Sequence, residues 1–467
     1  MRADAGDIVA SLSAVLDERN IESDPDKIGP RLKDNSWLSP VLAEHISSMA
    51  ETSGPSMNVI ALITPSSIDE LASCISVLAE AETPMTMLGA GTSNFGQTVP
   101  LDGGVVISTR NLNTIISIGE GSITVQPGVT AANIEKAARE TGQALPVITT
   151  THAVATAAGW VCGGHVGLGS STWGSIWDGN VLGARILTIG EVPEEMVLDE
   201  TTVESVLHAY GTTGVLTEVT MKLVPANNWV ELVVSHPTFD DAAAFVTILS
   251  QLGHLRLRVA AAQDPPLTPA FTALADIVDQ TDALTIVVVE ESQAAEVETH
   301  VIASGGTMTP WRGLGADRRP TLEYMVYGHR MLWVNKLFAG SAFLHCYLDQ
   351  ADPLPQTHEL KSRWGDRVLV ELKYMQSPYM ANRFGIGIDE PLPAALICIV
   401  NGASDLEAVM ASCDELGIRY QNPHTFFLDQ KGLFADPEKL RTFKDEVDPK
   451  GLLNPGKFSP RPESESV

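Results

Sequence analysis

A loop rich in glycine and hydroxyl side chains, placed directly after a short apolar strand, constrains this chain more than any other feature. Met85, Met87 and Leu88 read as a buried strand. Gly89, Gly91 and Gly96 then surround Thr92, Ser93 and Asn94. Glycines without Cβ let the backbone approach a ligand closely and reach positive φ. Successive backbone N–H groups in such a loop make an anion-binding concavity, and the hydroxyls add donors. A phosphate or pyrophosphate is the natural guest; on this loop alone a surface turn is the competing reading. A Walker loop is excluded, because no Gly-Lys-Ser/Thr ends the segment. A Rossmann fingerprint is excluded too: the third glycine comes two residues late, and Gln97-Thr-Val-Pro100 cannot open a long helix.

A second stretch strengthens the ligand reading. From Thr149 to Gly174 the chain is dominated by Gly, Ala, Ser and Thr, and it runs on into Asp178-Gly-Asn-Val-Leu-Gly183. Small side chains let backbone pack against a flat ring system, while hydroxyls and N–H groups supply polar contacts. Together the two stretches resemble the flavin domain of the vanillyl-alcohol oxidase / p-cresol methylhydroxylase superfamily. The nearest branch is that of the FAD-linked oxidases, with the flavin-binding glycolate oxidase chains and the D-lactate dehydrogenases. The likeness extends to Ala209-Tyr-Gly-Thr-Thr-Gly-Val-Leu-Thr-Glu-Val219 and to Asp448-Pro-Lys-Gly-Leu-Leu-Asn-Pro-Gly-Lys457. Four motifs in order are spread over most of the chain.

The resemblance implies an α+β fold: a two-subdomain PCMH-type FAD-binding domain and an α+β substrate, or cap, domain with an antiparallel sheet. The expected division is an N-terminal extension over 1–55, the FAD-binding domain over 56–225, the cap over 226–419, and a segment over 420–467 returning to the FAD domain. The length of 467 residues agrees with two or three domains. Ile8, Val9, Leu12, Val15 and Leu16 predict one amphipathic helix in the extension, followed by a loop at 34–40. Trp37 there is expected to pack rather than to line a site. Ser66 or Ser67 caps a helix through Ala81, with Leu71, Ile75 and Leu78 on one face. Past Pro225, strand-like runs alternate with helix-like runs, which predicts a sheet covered by helices on one side.

By the same resemblance the loop Gly89, Ala90, Gly91, Thr92, Ser93, Asn94, Gly96 and Gln97 wraps the FAD pyrophosphate. Thr150, Thr151 and the run holding Ala157, Ala158, Gly159, Gly163 and Gly164 follow the isoalloxazine and ribityl chain. Gly174, Asn180 and Val181 flank the ring, Gly214 and Val215 hold the adenine end, and Asn454 and Lys457 close from the C-terminal side. Relatives that hold flavin covalently use a His in the loop or a Cys before the Gly-Gly pair. Thr92 stands in the loop here and His152 to Thr156 contain no Cys, so FAD is expected to be non-covalent. Cys162 reads as a small packing residue.

Oxidation of an alcohol or hydroxy acid needs a base at the hydroxyl and a hydride path to flavin N5. His424, in Tyr420-Gln-Asn-Pro-His-Thr-Phe-Phe427, occupies a family position that faces the flavin and is the first candidate base, with a structural His as the alternative. Tyr327, His329 and Trp333 form the second cluster; His329, Trp333 and Lys336 share a helix face that lines either a pocket or the core. Glu371 and Lys373 point the same way on a strand and read as an ion pair. The Gly-Asp-Gly-Asn-Leu-His motif of the hydroxy-acid branch, often a metal holder, is absent, so no metal is expected. The implied activity is FAD-dependent oxidation of a small alcohol or 2-hydroxy acid. The alternatives are a phenolic-alcohol oxidase, with Tyr327, Tyr374 and Arg383 about a phenolate, and a non-redox transferase like alkyl-dihydroxyacetonephosphate synthase.

A net charge of −28 argues against nucleic acid and anionic membranes as partners. Five scattered cysteines without a C-x-x-C pair, and no apolar run long enough to span a membrane, predict a cytoplasmic protein. The expected partners are a small-molecule substrate and an electron acceptor (oxygen, a quinone, a cytochrome or a flavoprotein), with homodimerisation left open.

Overall fold

The computed structural model describes residues 4–461 apart from 33, 35–38, 54–57, 386, 388–389 and 435; Trp37 therefore lies outside the described residues. Three parallel strands, Val59–Ile63, Gly104–Ser108 and Met85–Leu88, form the first sheet, with Gly104–Ser108 in the middle. The helix Ile68–Glu80 makes the crossover. Ser67 caps it by accepting from the Glu70 N–H, and Asp69 and Glu70 sit at the positive end of its dipole. Leu71, Cys74, Ile75 and Leu78 are buried on one face, as the spacing predicts. Each large apolar side chain of that face contributes roughly 1.5–3 kcal/mol.

The N-terminal extension holds more structure than its pattern suggests. The expected helix is present as Ala5–Ser13, with Ile8 and Leu12 buried. Beyond it, Ile21–Glu22 adds an antiparallel edge strand to the first sheet, and a further helix runs Pro40–Ser53. Proline at the first helical position explains that start, because its missing N–H has no partner to lose there.

A second sheet is antiparallel, ordered Ile115–Gly119, Ser122–Val125, Val215–Lys222, Val181–Leu187 and Glu195–Leu198. Between the two sheets lie the loop after Met85–Leu88 and the helix Ala157–Gly163, whose N-cap is Thr156.

From Trp229 to Gln421 the strands join one antiparallel sheet of nine, with Arg419–Gln421 at its far edge. Alternation decides its two faces. Leu344, Cys346, Val370, Leu372, Ala395 and Ile397 turn to one side, where they share a core with Phe245 and Leu249 of the helix Phe239–Gln251, and with Leu406 and Val409 of Ala403–Glu415. Phe343, Leu369 and Leu396 turn to the other side, into the core that contains Trp160, Val161 and Tyr210. Helices thus cover one face, as expected, and the opposite face is a ceiling over the small-residue stretch. The chain then returns: the Met85 N–H donates to Leu452 O at 2.8 Å, and Asn454 N–H to Met85 O at 2.7 Å. No described helix is long and apolar enough to cross a membrane.

Candidate cofactor and substrate site

The loop, the small-residue helix and the ceiling enclose one continuous cavity. It holds about 1570 Å³, counting the part open to solvent. One end is backbone and small side chains: Gly89 to Phe95, Gln97, Thr150, Thr151, Ala158, Gly159, Gly163, Gly164 and Gly214. The other end is walled by rings and apolar groups: His165, Val166, Tyr327, His329, Leu332, Phe343, His345 and Leu396.

Local rules put the loop where it is. Gly91 has φ +67°, which a side chain would resist. Gly89 packs so closely on the helix N-cap that a Cβ there would lie 2.5 Å from Thr156 Oγ1. Gln97 reaches across the opening, its Nε2 donating to Gly163 O at 2.8 Å. Behind the loop, Asn454 Nδ2 donates to Gln97 O at 3.1 Å and to Tyr210 O at 2.5 Å, while Lys457 Nζ donates to Gly96 O and Val99 O. Lys457 is 1% exposed, and burial lowers its pKa to about 7.

The sequence expectations divide accordingly. Fourteen expected cofactor residues line the cavity: Gly89 to Asn94, Gln97, Thr150, Thr151, Ala158, Gly159, Gly163, Gly164 and Gly214. Gly96, Ala157, Gly174, Asn180, Val181, Val215, Asn454 and Lys457 do not. Gly96 faces Phe426, whose ring would lie 2.1 Å from an added Cβ. The Ala157 N–H is spent on Val129 O. A Cβ on Gly174 would meet Gln376 O at 2.4 Å. Asn180 Nδ2 serves Trp173 O and Ser175 O. Val181 and Val215 are interior strand residues, paired with Met221 and Leu187. Asn454 and Lys457 shape the loop from outside the cavity.

Of the four candidate catalytic residues, Tyr327 and His329 line the cavity; His424 and Trp333 do not. His424 has both ring nitrogens engaged, Nδ1 by Ser39 Oγ at 2.5 Å and Nε2 by Phe343 O at 2.8 Å, so it braces the ceiling strand from its side. Trp333 donates from Nε1 to Tyr324 O at 2.8 Å and carries Lys336 over its ring at 4.2 Å. Tyr374 and Arg383 also lie elsewhere, bonded to Thr247 and Gly432 O.

Tyr327 opens the helix Tyr327–Leu337 with φ +50°, a costly conformation for a tyrosine. Its ring separates the cavity from Lys373, whose Nζ lies 5.1 Å from the ring centroid. Lys373 donates to Glu371 at 3.2 Å, and Glu371 also faces Arg330 at 3.6 Å, the expected ion pair enlarged into a buried trio. Arg330 gives its Nε to Gln263 Oε1 at 2.7 Å.

Two site residues were not singled out from the sequence. His165 follows the Gly163-Gly164 pair, and His345 sits two residues after Phe343 on the strand Ala342–Tyr347. Their ring centroids are 5.5 Å apart, and each has a buried Nε2 without a partner. Burial, and then the charge of Lys373, lowers the His165 pKa to about 4. Burial likewise holds His345 well below the usual range, so both imidazoles are neutral at pH 7. Cys162 also lines the cavity; burial pushes its thiol up to about 12, which leaves it protonated. Among the described residues no cluster of His, Cys, Asp and Glu has metal-holding geometry.

Residues 59–191 match the family described as FAD binding domain. Glycolate oxidase subunit GlcD of Bacillus subtilis (strain 168) is 28% identical over 175 residues, 35% of this chain and 37% of that protein. D-lactate dehydrogenase of Anaerostipes hadrus is 26% identical over 198 residues, 40% of this chain and 41% of that protein. The matches thus span about two fifths of the length of these curated relatives. A solved alkyldihydroxyacetonephosphate synthase superposes over 98% of this chain and 86% of its own, with a TM-score of 0.71 and 13% identity, which shows a shared fold.

Proposed function

We propose that this chain, a relative of the FAD-linked oxidases near the branch of the glycolate oxidases and D-lactate dehydrogenases, is an FAD-dependent oxidoreductase acting on the CH–OH group of a small alcohol or hydroxy acid. The observation that carries the proposal is the single cavity in which a glycine cradle meets two neutral imidazoles. The residues present fit FAD. The cradle has small walls and positive φ at Gly91, and none of its described lining residues is acidic; the one carboxylate bonded to the loop, Asp34, is held behind it by the Ser93 hydroxyl.

Backbone N–H groups of residues 89–97, with the Thr92 hydroxyl, would hold the pyrophosphate; the Ser93 hydroxyl donates to Asp34 Oδ2 at 2.8 Å. Thr150, Thr151, Ala158, Gly159, Gly163 and Gly164 border the flavin, and Gly214 the adenine end. Bound FAD supplies the two-electron acceptor for the hydride of the carbinol carbon. The chain's own share is positional and protic. One of the pair His165 and His345 accepts the hydrogen bond of the substrate hydroxyl and takes up its single proton. Tyr327 has its pKa raised by burial and by Glu371, so it stays a neutral phenol in the wall. Phe343, Leu332 and Leu396 exclude water.

The test is anaerobic addition of alcohols and hydroxy acids to the FAD-loaded protein while the oxidised-flavin band is followed. Bleaching supports the reading; a flavin that dithionite reduces and no panel member bleaches refutes it. With Thr92 in the loop and Cys162 protonated, FAD is held non-covalently, so trichloroacetic acid leaves the yellow colour in the supernatant.

A further inference from the structure

The ring-walled end of the cavity tells acids from alcohols. None of its described lining residues is Arg, Lys, Asp or Glu, and its histidines are neutral. Buried cations beside the wall are already committed: Lys373 and Arg330 share the carboxylate of Glu371, Lys431, packed over the Phe95 and Tyr210 rings, donates to Thr425 O at 2.6 Å, and none of the three lines the cavity. A carboxylate placed against Phe343, Leu396 and Val166 would lose its hydration and gain no counter-charge. A phosphate ester would lose more.

The pyrophosphate of FAD faces no such cost, because the loop at the other end presents a run of backbone donors to it. The ring-walled end has side chains in place of such a loop. What it does offer is two neutral imidazoles. His165 is 6% exposed and has an unpartnered Nε2, and His345 adds a second buried nitrogen in the same condition. Unpartnered buried polar atoms are costly in a native protein unless a ligand completes them. A hydroxyl, which both donates and accepts, completes such a nitrogen in either tautomer; a carboxylate completes only an N–H and brings an uncompensated charge.

We propose that the substrate is an uncharged alcohol, its hydroxyl donating to His165 or His345 and its body packed against Tyr327 and Phe343, and that 2-hydroxy acids and phosphate esters are excluded. The inference rests on the oxidoreductase reading above for the chemistry and on the cavity wall for the ligand class. It separates this chain from what the names of its curated relatives describe, glycolate and D-lactate.

The test uses two redox-inert ligands of one shape, benzamide and benzoate, titrated into the FAD-loaded protein at neutral pH. Binding is read from the flavin difference spectrum and from calorimetric heat, so no turnover is needed. Benzamide is expected to bind at least about tenfold tighter than benzoate. Benzoate binding as tightly as benzamide, or tighter, overturns the inference; so does a protein to which benzamide does not bind. The oxidoreductase reading fails separately, when benzamide binds and no alcohol bleaches the flavin. Anaerobic addition of methyl mandelate and mandelate repeats the contrast for turnover: bleaching by the ester alone is expected, and bleaching by the acid overturns it.

Discussion

Replacing Gly89 by alanine tests whether the phosphate loop is built on the cap of the neighbouring helix. An added Cβ would lie 2.5 Å from Thr156 Oγ1 but 3.7 Å from Thr156 Cβ, an ordinary contact. The hydroxyl is therefore the whole of the conflict with that side chain. Thr156 is 4% exposed, and its Oγ1 accepts from the Gly159 N–H at 3.2 Å. If the hydroxyl swings away, the helix Ala157–Gly163 loses its cap at a cost of about 1 kcal/mol. If the strand backs off instead, repacking costs about 1–3 kcal/mol. Gly89→Ala should thus lose about 1–3 kcal/mol, and Thr156→Ala alone about 1 kcal/mol. The double variant should fall short of the sum by at least about 1 kcal/mol, because removing the hydroxyl makes room for the new methyl. Urea unfolding of the FAD-loaded protein, followed by tryptophan and flavin fluorescence, measures all three, and flavin affinity should recover in the double variant relative to Gly89→Ala. Losses that add to within about 0.5 kcal/mol would refute the packing argument.

Other consequences follow from the buried polar groups. Between pH 7 and 10.5 unfolded Lys457 keeps a proton that the folded form has shed, so folded stability rises with pH across that window. Lys457→Met should remove up to about 3 kcal/mol of that rise between about pH 7 and 9.5, seen as convergence of the urea midpoints at the two pH values. His424→Asn should leave the rate of anaerobic flavin reduction within about threefold, whereas His165→Asn or His345→Asn should slow it at least about tenfold. The opposite order would restore His424 as the base. Because His165 is lowered to about 4, reduction should stay flat as pH falls from 8 toward 5 and decline only below that, as the imidazole takes up a proton. A decline centred near 6.5 would mean that an ordinary histidine controls the step.

The parts of this molecule legible in the sequence were those whose chemistry is local. Glycine at Gly89 and Gly91 announces a cradle because the demand for positive φ and close approach is made by the backbone itself. Helix 68–80 is announced by Ser67 and the spacing of Leu71, Ile75 and Leu78. The catalytic end was less legible because its residues meet only in three dimensions. His424 could not be separated from a structural histidine, since its partner Ser39 lies 385 positions away. His345 left a trace in the alternation of Phe343, His345 and Tyr347 against Leu344 and Cys346. Alternation identifies two faces, though not which of them looks into a cavity. Asn454 and Lys457 are recognisable as motif residues, yet their work is done on carbonyls of the loop.

That arrangement sets a clock on assembly. Asn454 secures Gln97 across 357 positions, and Lys457 secures Gly96 across 361. At about 5–20 residues per second, a ribosome needs roughly 20–70 s after making the loop before it delivers the side chains that hold it. A nascent chain can build its first sheet early but not its finished cofactor cradle. Completion of the flavin cradle therefore waits for residues 454–457 to be made, and a message cut short before codon 454 would yield a protein with its flavin site unfastened.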